Sequence, residues 1–205
     1  NLFYKVLDSF ENKIFYPKND IDAYVMYPKY SYVYNKLNIS KFQNVLSNPF
    51  PILPIKYPII SKPIINLNGM GLGAKKIKSE KEFYKDIEST NFWCTYLEGD
   101  HYSWDIILRN GKILYYTCFF GTFKFWRQED KEIPNNVIKI LEKFLVKFTG
   151  NINMETIGDI VIEVHLRMGD IDLTDSDVIL LSLLNLSDKK NNIIKRQLKI
   201  VNNKK

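Results

Sequence analysis

The chain has 205 residues, 45% hydrophobic and 25% charged, which excludes a disordered chain and leaves apolar mass for one ordinary domain or two small ones. Two cysteines, Cys94 and Cys118, exclude a disulfide framework, and no apolar run reaches the roughly 18–20 residues that span a bilayer, so the expectation is a soluble cytoplasmic protein without a membrane span. The net charge of +6 lies in a tail at 187–205 with seven basic residues against Asp188; removing these from 29 basic and 23 acidic residues leaves 22 of each sign, which argues against a basic nucleic-acid face on the body.

The first ten residues, NLFYKVLDSF, lack the basic-then-apolar layout of a secretory signal. A short strand is expected over 23–27 and a weak helix over 35–46. The connector NPFPILP at 48–54 cannot sustain a helix, because its prolines lack amide donors and restrict the residues before them. A buried strand is expected over 57–63, then a glycine loop at 66–73 and a returning strand at 74–77. Ser79 and Glu82 have capping-box spacing, which predicts a helix over 80–88.

Farther on, Asn110-Gly111 between 105–108 and 112–119 is a strong hairpin signal. Val137, Ile138, Leu141, Phe144, Leu145 and Phe148 repeat at helical spacing, with Gly150 as a stop. A strand pair at 153–155 and 159–165 and a last helix at 177–186 complete the reading. Mixed helices and antiparallel hairpins predict an α+β fold. The organisation reads as an N-terminal segment with a lead-in helix (1–47), a glycine-loop subdomain (48–97), a C-terminal subdomain (98–186) and the basic tail.

Three segments carry chemistry. In the loop NLNGMGLG, Gly69, Gly71 and Gly73 remove Cβ from one stretch of backbone, so its N–H groups can approach a polyanion. No Gly-Lys-Ser/Thr follows, which excludes a P-loop, and a flexible hairpin stands as the alternative. Lys62 adds a fixed positive charge on the strand leading into the loop. In the third segment, Glu163, His165 and Arg167 alternate and therefore share one strand face, with a half-exposed strand edge as the alternative. Glu155 on the preceding strand would add a second carboxylate for a divalent cation.

In this order the motifs resemble the ATP-grasp superfamily of carboxylate ligases over residues 34–170. Tyr34-Asn35-Lys36-Leu37 is similar to the segment bearing the family's first nucleotide lysine, and YPIISKP at 57–63 to the strand bearing the second, Lys62. Residues 66–73 resemble the loop that closes over the phosphates, which implies nucleotide roles for Asn68, Gly69, Gly71 and Gly73. Tyr96-Leu97 falls on the hinge strand that reads adenine, and His101 on the ribose site. Residues 162–167 resemble the metal strand Glu-x-Asn-x-Arg, with His165 where the family usually has Asn.

The resemblance implies two α+β subdomains with antiparallel sheets sandwiching a nucleotide, in a compact form lacking most of the N-terminal domain. It also implies ATP, and Mg²⁺ or Mn²⁺ held by Glu155, Glu163 and His165. An unknown carboxylate would be activated as an acyl phosphate for attack by an amine, or sometimes a thiol. Arg167 would face the developing charge. Lys124 and Arg127 would meet the γ-phosphate or the substrate carboxylate, with a strand edge bearing snorkelling bases as the alternative. Two other readings stand beside the ligase: a nucleotide-binding protein of the same shape with little or no ligase activity, and a nucleic-acid-binding module using the basic tail and exposed aromatics. The basic tail would add weak anionic contacts, with a frayed, solvated terminus as the alternative.

Overall fold

A computed structural model describes residues 17, 19–69, 71–122 and 125–169. The expected helix at 177–186 and the basic tail lie outside the described residues. The chain passes through helix α1 (Asp20–Met26), a 3-10 helix (Pro28–Tyr34) and helix α2 (Lys36–Phe42). Strands β1 (Ser47–Pro49), β2 (Ile59–Pro63), β3 (Lys75–Ile77) and β4 (Asn91–Thr95) follow, with α3 (Glu80–Lys85) before β4. Then come β5 (His101–Arg109), β6 (Lys112–Thr122), β7 (Phe125–Glu129), α4 (Asn135–Phe144), β8 (Gly150–Ile157) and β9 (Ile160–His165).

The strands sort into two antiparallel sheets, so the α+β expectation holds. One has the order β1-β4-β2-β3 and the other β7-β6-β5-β8-β9. In the five-stranded sheet, strand alternation separates an apolar face from one that mixes polar residues with the buried Ile107 and Phe119. Tyr102, Trp104, Ile106 and Leu108 of β5 join Cys118, Ile152, Met154 and Val164 in a core shared with Ala23, Val33 and the α4 residues Val137, Ile140 and Leu141. Ser103, Asp105, Asn153, Glu155, Glu163 and His165 occupy alternate positions and turn the other way. The four-stranded sheet has its own small core of Phe50, Ile59, Ile77, Phe83 and Trp93.

The segment read as a strand at 23–27 is helical. The Asn19 side chain accepts from the Asp22 amide at 2.8 Å and caps α1, with Asp20 and Asp22 in the favoured first turn. That cap lies upstream of the residues used for the strand reading. Helix α2 ends at Phe42 rather than 46, because Asn44 takes a positive φ of 59° and turns the chain. The proline connector contributes β1, which pairs with β4 at the sheet edge, where Pro49 needs no ladder donor on the open side.

Ser79 accepts from the Glu82 amide as the capping box requires, but the Glu82 carboxylate returns to the Lys78 amide. The hairpin at Asn110-Gly111 forms as expected. Its Gly111 has φ +77°, and a Cβ there would lie 2.0 Å from the Val146 carbonyl oxygen. Helix α4 stops at Phe144. Leu145 and Phe148 stay buried beyond it, and Gly150 opens β8 instead of ending the helix.

Ile152 is 0% exposed in the main core, whereas Ile55 on the proline-rich connector is 89% exposed. Ile152→Ala should lower unfolding stability by about 2–5 kcal/mol. Ile55→Ala should stay within about 0.5 kcal/mol of the parent. Urea unfolding of both variants measures the difference, and equal effects would contradict the core assignment.

Candidate functional site

A cleft of about 780 Å³ separates the two sheets, which is within the range that takes a nucleotide-sized ligand. Helix α2 delivers the first lysine. Asn35 caps it by accepting from the Asn38 amide, leaving Lys36 as the first helical residue. Lys36 is only 5% exposed, and its Nζ lies 2.5 Å from Glu163 Oε1 on β9. Lys62 reaches across from β2 and donates to the Ile162 carbonyl at 3.2 Å. Burial holds its ammonium below the ordinary lysine range, with the Lys36 charge adding to the shift and Cys94, Glu163 and Glu155 opposing it.

Glu155 and Glu163 stand directly opposite each other on β8 and β9. Like charges so placed repel, and each carboxylate has a protein cation or imidazole against it. His101 Nε2 is 3.0 Å from Glu155 Oε2, as Lys36 is close to Glu163. Burial pushes the Glu155 carboxyl up, but the His101 hydrogen bond and the nearby His165, His101 and Lys36 charges prevail and hold it below its ordinary value.

His165 is buried, with Nδ1 2.9 Å from Asp20 Oδ1 and Nε2 3.7 Å from Glu163 Oε1. Burial alone would lower its pKa; the Asp20 hydrogen bond and the Glu163 and Asp20 charges raise it. Arg167 also lines the cleft, its Nη2 2.9 Å from Asp20 Oδ2. Glu163, His165 and Arg167 thus share one face, as their alternation implies.

Over the mouth lies the glycine loop. Gly69, Gly71 and Gly73 all take φ between +61° and +80°, a region that side chains disfavour. Asn66 pins the loop, donating from Nδ2 to the Gly69 carbonyl at 3.0 Å and accepting from the Asn68 amide. A Cβ on Gly69 would lie 3.9 Å from Arg167 Nη2, so the loop meets the opposite wall. Gly69 and Gly71 line the cleft, whereas Asn68 and Gly73 do not.

Tyr96 and Leu97 line the cleft just after β4 ends at Thr95 rather than within the strand. Arg127 is not brought to the cleft. Strand alternation turns Trp126 inward, its ring centroid 5.1 Å from that of His101, and Arg127 outward to an ion pair with Glu129 at 2.8 Å. The strand-edge alternative describes Arg127. Lys124 lies outside the described residues.

Sequence reasoning passed over Asp20, Glu98, Ser103, Trp126 and Asn153. Glu98 adjoins the hinge pair and Trp126 stands beside Arg127, so both were within reach of the motifs. Asp20 carried no signal, because its partners in the cleft lie 145 and 147 residues away.

Glu155 and Glu163 offer hard oxygen donors suited to Mg²⁺ or Mn²⁺. Among the described residues, no three His, Cys, Asp or Glu side chains gather closely enough to hold a cation alone. That donor set fits Mg²⁺, which binds through one or two carboxylates together with substrate phosphates rather than in an all-protein cage.

No family model matches the chain, and no curated protein matches it in sequence. Solved structures do. The chain is similar to an L-amino acid ligase from Bacillus licheniformis, at 13% identity and TM-score 0.52, over 74% of this chain and 46% of that one. It is similar to an N5-carboxyaminoimidazole synthetase from Staphylococcus aureus complexed with ADP, at 15% identity and TM-score 0.52, over 68% and 46%. A third likeness, at 10% identity and TM-score 0.51 over 78% and 60%, is to the ATP-grasp ligase PsnB complexed with a phosphomimetic variant of a minimal precursor, Mg and ADP. The chain has an ATP-grasp fold. It spans about half the length of these proteins. Among the described residues no helix is long and apolar enough to cross a membrane.

In this ATP-grasp fold Asp20 and Glu155 both have depressed carboxyl pKa values. A depressed folded-state pKa contributes stability that is complete above the unfolded-state value and lost as pH falls through the folded one. Urea midpoints should therefore hold near neutrality and decline below about pH 4–5, where unfolded carboxyls begin to take up protons. Glu155→Gln should flatten that acid limb. An acid limb as steep as the parent's in this variant would contradict the depressed Glu155 carboxyl.

Proposed function

We propose that the cleft binds ATP with Mg²⁺, or Mn²⁺, and that this chain supplies the phosphoryl-transfer centre of an ATP-dependent ligase. The observation that carries the reading is the convergence of Lys36 and Lys62 on the opposed pair Glu155 and Glu163, beneath a loop of positive-φ glycines. Two cations, two carboxylates and exposed backbone donors are what a triphosphate with its counter-ion requires.

A carboxylate is a poor electrophile. Transfer of the γ-phosphoryl group from ATP to a carboxylate oxygen breaks the bond to the β-phosphate, releasing ADP and forming an acyl phosphate. An amine then adds to the acyl carbon, phosphate leaves with the C–O bonding pair, and the amine proton passes to solvent or base. The protein's part in the first step is to position the reactants and neutralise charge.

In this reading Lys62, which rests on the Ile162 carbonyl and over the Phe92 ring, turns to the phosphates. Lys36 exchanges Glu163 for a phosphate oxygen, which frees the carboxylate. Gly69 and Gly71 present backbone N–H groups from above. Tyr96 and Leu97 flank the base, and His101, beside Trp126, stands toward the sugar. Glu155 and Glu163 would hold Mg²⁺, which would supply neutralisation of phosphate charge. Arg167 meets the negative charge of the substrate carboxylate and the acyl phosphate. His165 nitrogen is a softer donor than oxygen, so the part of this site that favours Mn²⁺ is His165.

Ligand that binds only the folded state stabilises it by about 2.7 kcal/mol at roughly 100 times Kd. Thermal melts should therefore shift upward with ATP and Mg²⁺, and the shift should shrink in Lys62→Ala. Glu163→Gln has a more specific signature. It leaves Lys36 buried without its carboxylate, so the unliganded melt should fall. Metal-free ATP should then stabilise this variant at least as much as the parent, because phosphate replaces the lost partner. The extra increment from Mg²⁺ should vanish. A folded Glu163→Gln protein with undiminished Mg²⁺ dependence would sink the cation site.

A further inference from the structure

Asp20 stands outside both sheets and does not line the cleft, yet it grips two residues that do. It is 2% exposed. Its Oδ1 accepts from the Tyr34 hydroxyl at 3.0 Å and lies 2.9 Å from His165 Nδ1, and its Oδ2 accepts from Arg167 Nη2 at 2.9 Å. The Tyr34 oxygen in turn accepts from the Leu166 amide at 3.1 Å. One carboxylate and one phenol thereby hold three consecutive residues at the end of β9: a side chain, a backbone amide and a second side chain.

We infer that Asp20 is a positioning residue for the cleft, setting which nitrogen His165 turns to the ligand and the plane in which Arg167 presents its guanidinium. This rests on the nucleotide–cation reading given above. A carboxylate has no proton to give, so Nδ1 of His165 must carry one, and Nε2 is the nitrogen directed at Glu163 and the cation site. Arg167 is fixed in two directions. Nη2 is on Asp20 and Nη1 donates to the Met168 carbonyl at 2.7 Å, which orients the planar fork beneath Gly69.

A purely structural role would be to fasten the N-terminal segment to β9. Apolar burial already does so, through Ala23, Val33 and Tyr34 in the main core. A buried ionic cluster adds little net stability over apolar packing, because desolvating the charges offsets most of their attraction. What the cluster supplies uniquely is orientation.

The chain has two histidines, so the ring nitrogens of His165 can be assigned in ¹⁵N-labelled protein by comparison with His101→Gln. At alkaline pH, where the ring is neutral, the parent should carry its proton on Nδ1. In Asp20→Asn the ring should redistribute toward the Nε2-protonated form. Affinity for ADP with Mn²⁺, read by electron paramagnetic resonance, should fall about 10-fold, the lower end for loss of a residue behind a ligand. Metal-free ADP binding should change little, and Asp20→Glu should recover part of the loss.

A well-folded Asp20→Asn protein with the parental tautomer and parental Mn²⁺·ADP affinity would overturn the assignment. If that variant does not fold, the parent decides: a neutral His165 protonated on Nε2 overturns it, and one protonated on Nδ1 upholds it. A parent that binds no nucleotide defeats the nucleotide reading, while the ring measurement still tests whether Asp20 sets the His165 orientation.

Discussion

Lys36 and Glu163 are oppositely charged, both largely buried, and 2.5 Å apart. Removing either alone would leave a charge in a medium that solvates it poorly. The pair therefore ties the start of α2 to β9 in the unliganded protein. Gln43 at the other end of α2 reinforces this placement, donating to the Val161 carbonyl and accepting from its amide, both at 2.8 Å. At Val161 the open backbone of edge strand β9 is thus satisfied by the residue that caps the helix carrying the first lysine.

The same charges explain how two carboxylates can face each other across β8 and β9. Each is compensated from a different element, Glu163 by α2 and Glu155 by the first residue of β5. Compensation by protein groups is reversible. A lysine ammonium on a flexible stem can leave one anion for another with little backbone movement, whereas a tightly packed apolar contact would have to be broken. Both cleft carboxylates consequently have protein partners without a ligand, and Lys36 and Lys62 are at hand for a polyanion.

The five-stranded sheet makes this arrangement affordable. Its apolar face buries large side chains against α1, the 3-10 helix and α4, which leaves the other face to carry Ser103, Asp105, Asn153, Glu155, Glu163 and His165 beside the buried Ile107 and Phe119. Polar residues there are hydrogen-bonded to one another: Asn153 donates to Ser103 and Asp105, and Asp105 accepts from the Gly169 amide. Such networks hold side chains in single rotamers, which a binding site needs and an apolar surface does not provide.

Local signals determined much of this. The Asn110-Gly111 turn, the alternation of Glu163, His165 and Arg167 and the Ser79 cap are all short-range. Each depends on the backbone preferences of a few consecutive residues, and those preferences survive in the folded chain. The 23–27 segment is helical because Asn19 caps it from upstream, and α4 ends before its helical spacing does because Leu145 and Phe148 pack from beyond its last turn. Tertiary structure alone decided the rest: that Asp20 would meet His165 and Arg167, that Lys36 would sit on Glu163, that Trp126 rather than Arg127 would face the cleft, and that His101 would pair with Glu155. These contacts join residues far apart in sequence, and a buried charge takes its partner from whatever packing brings within reach.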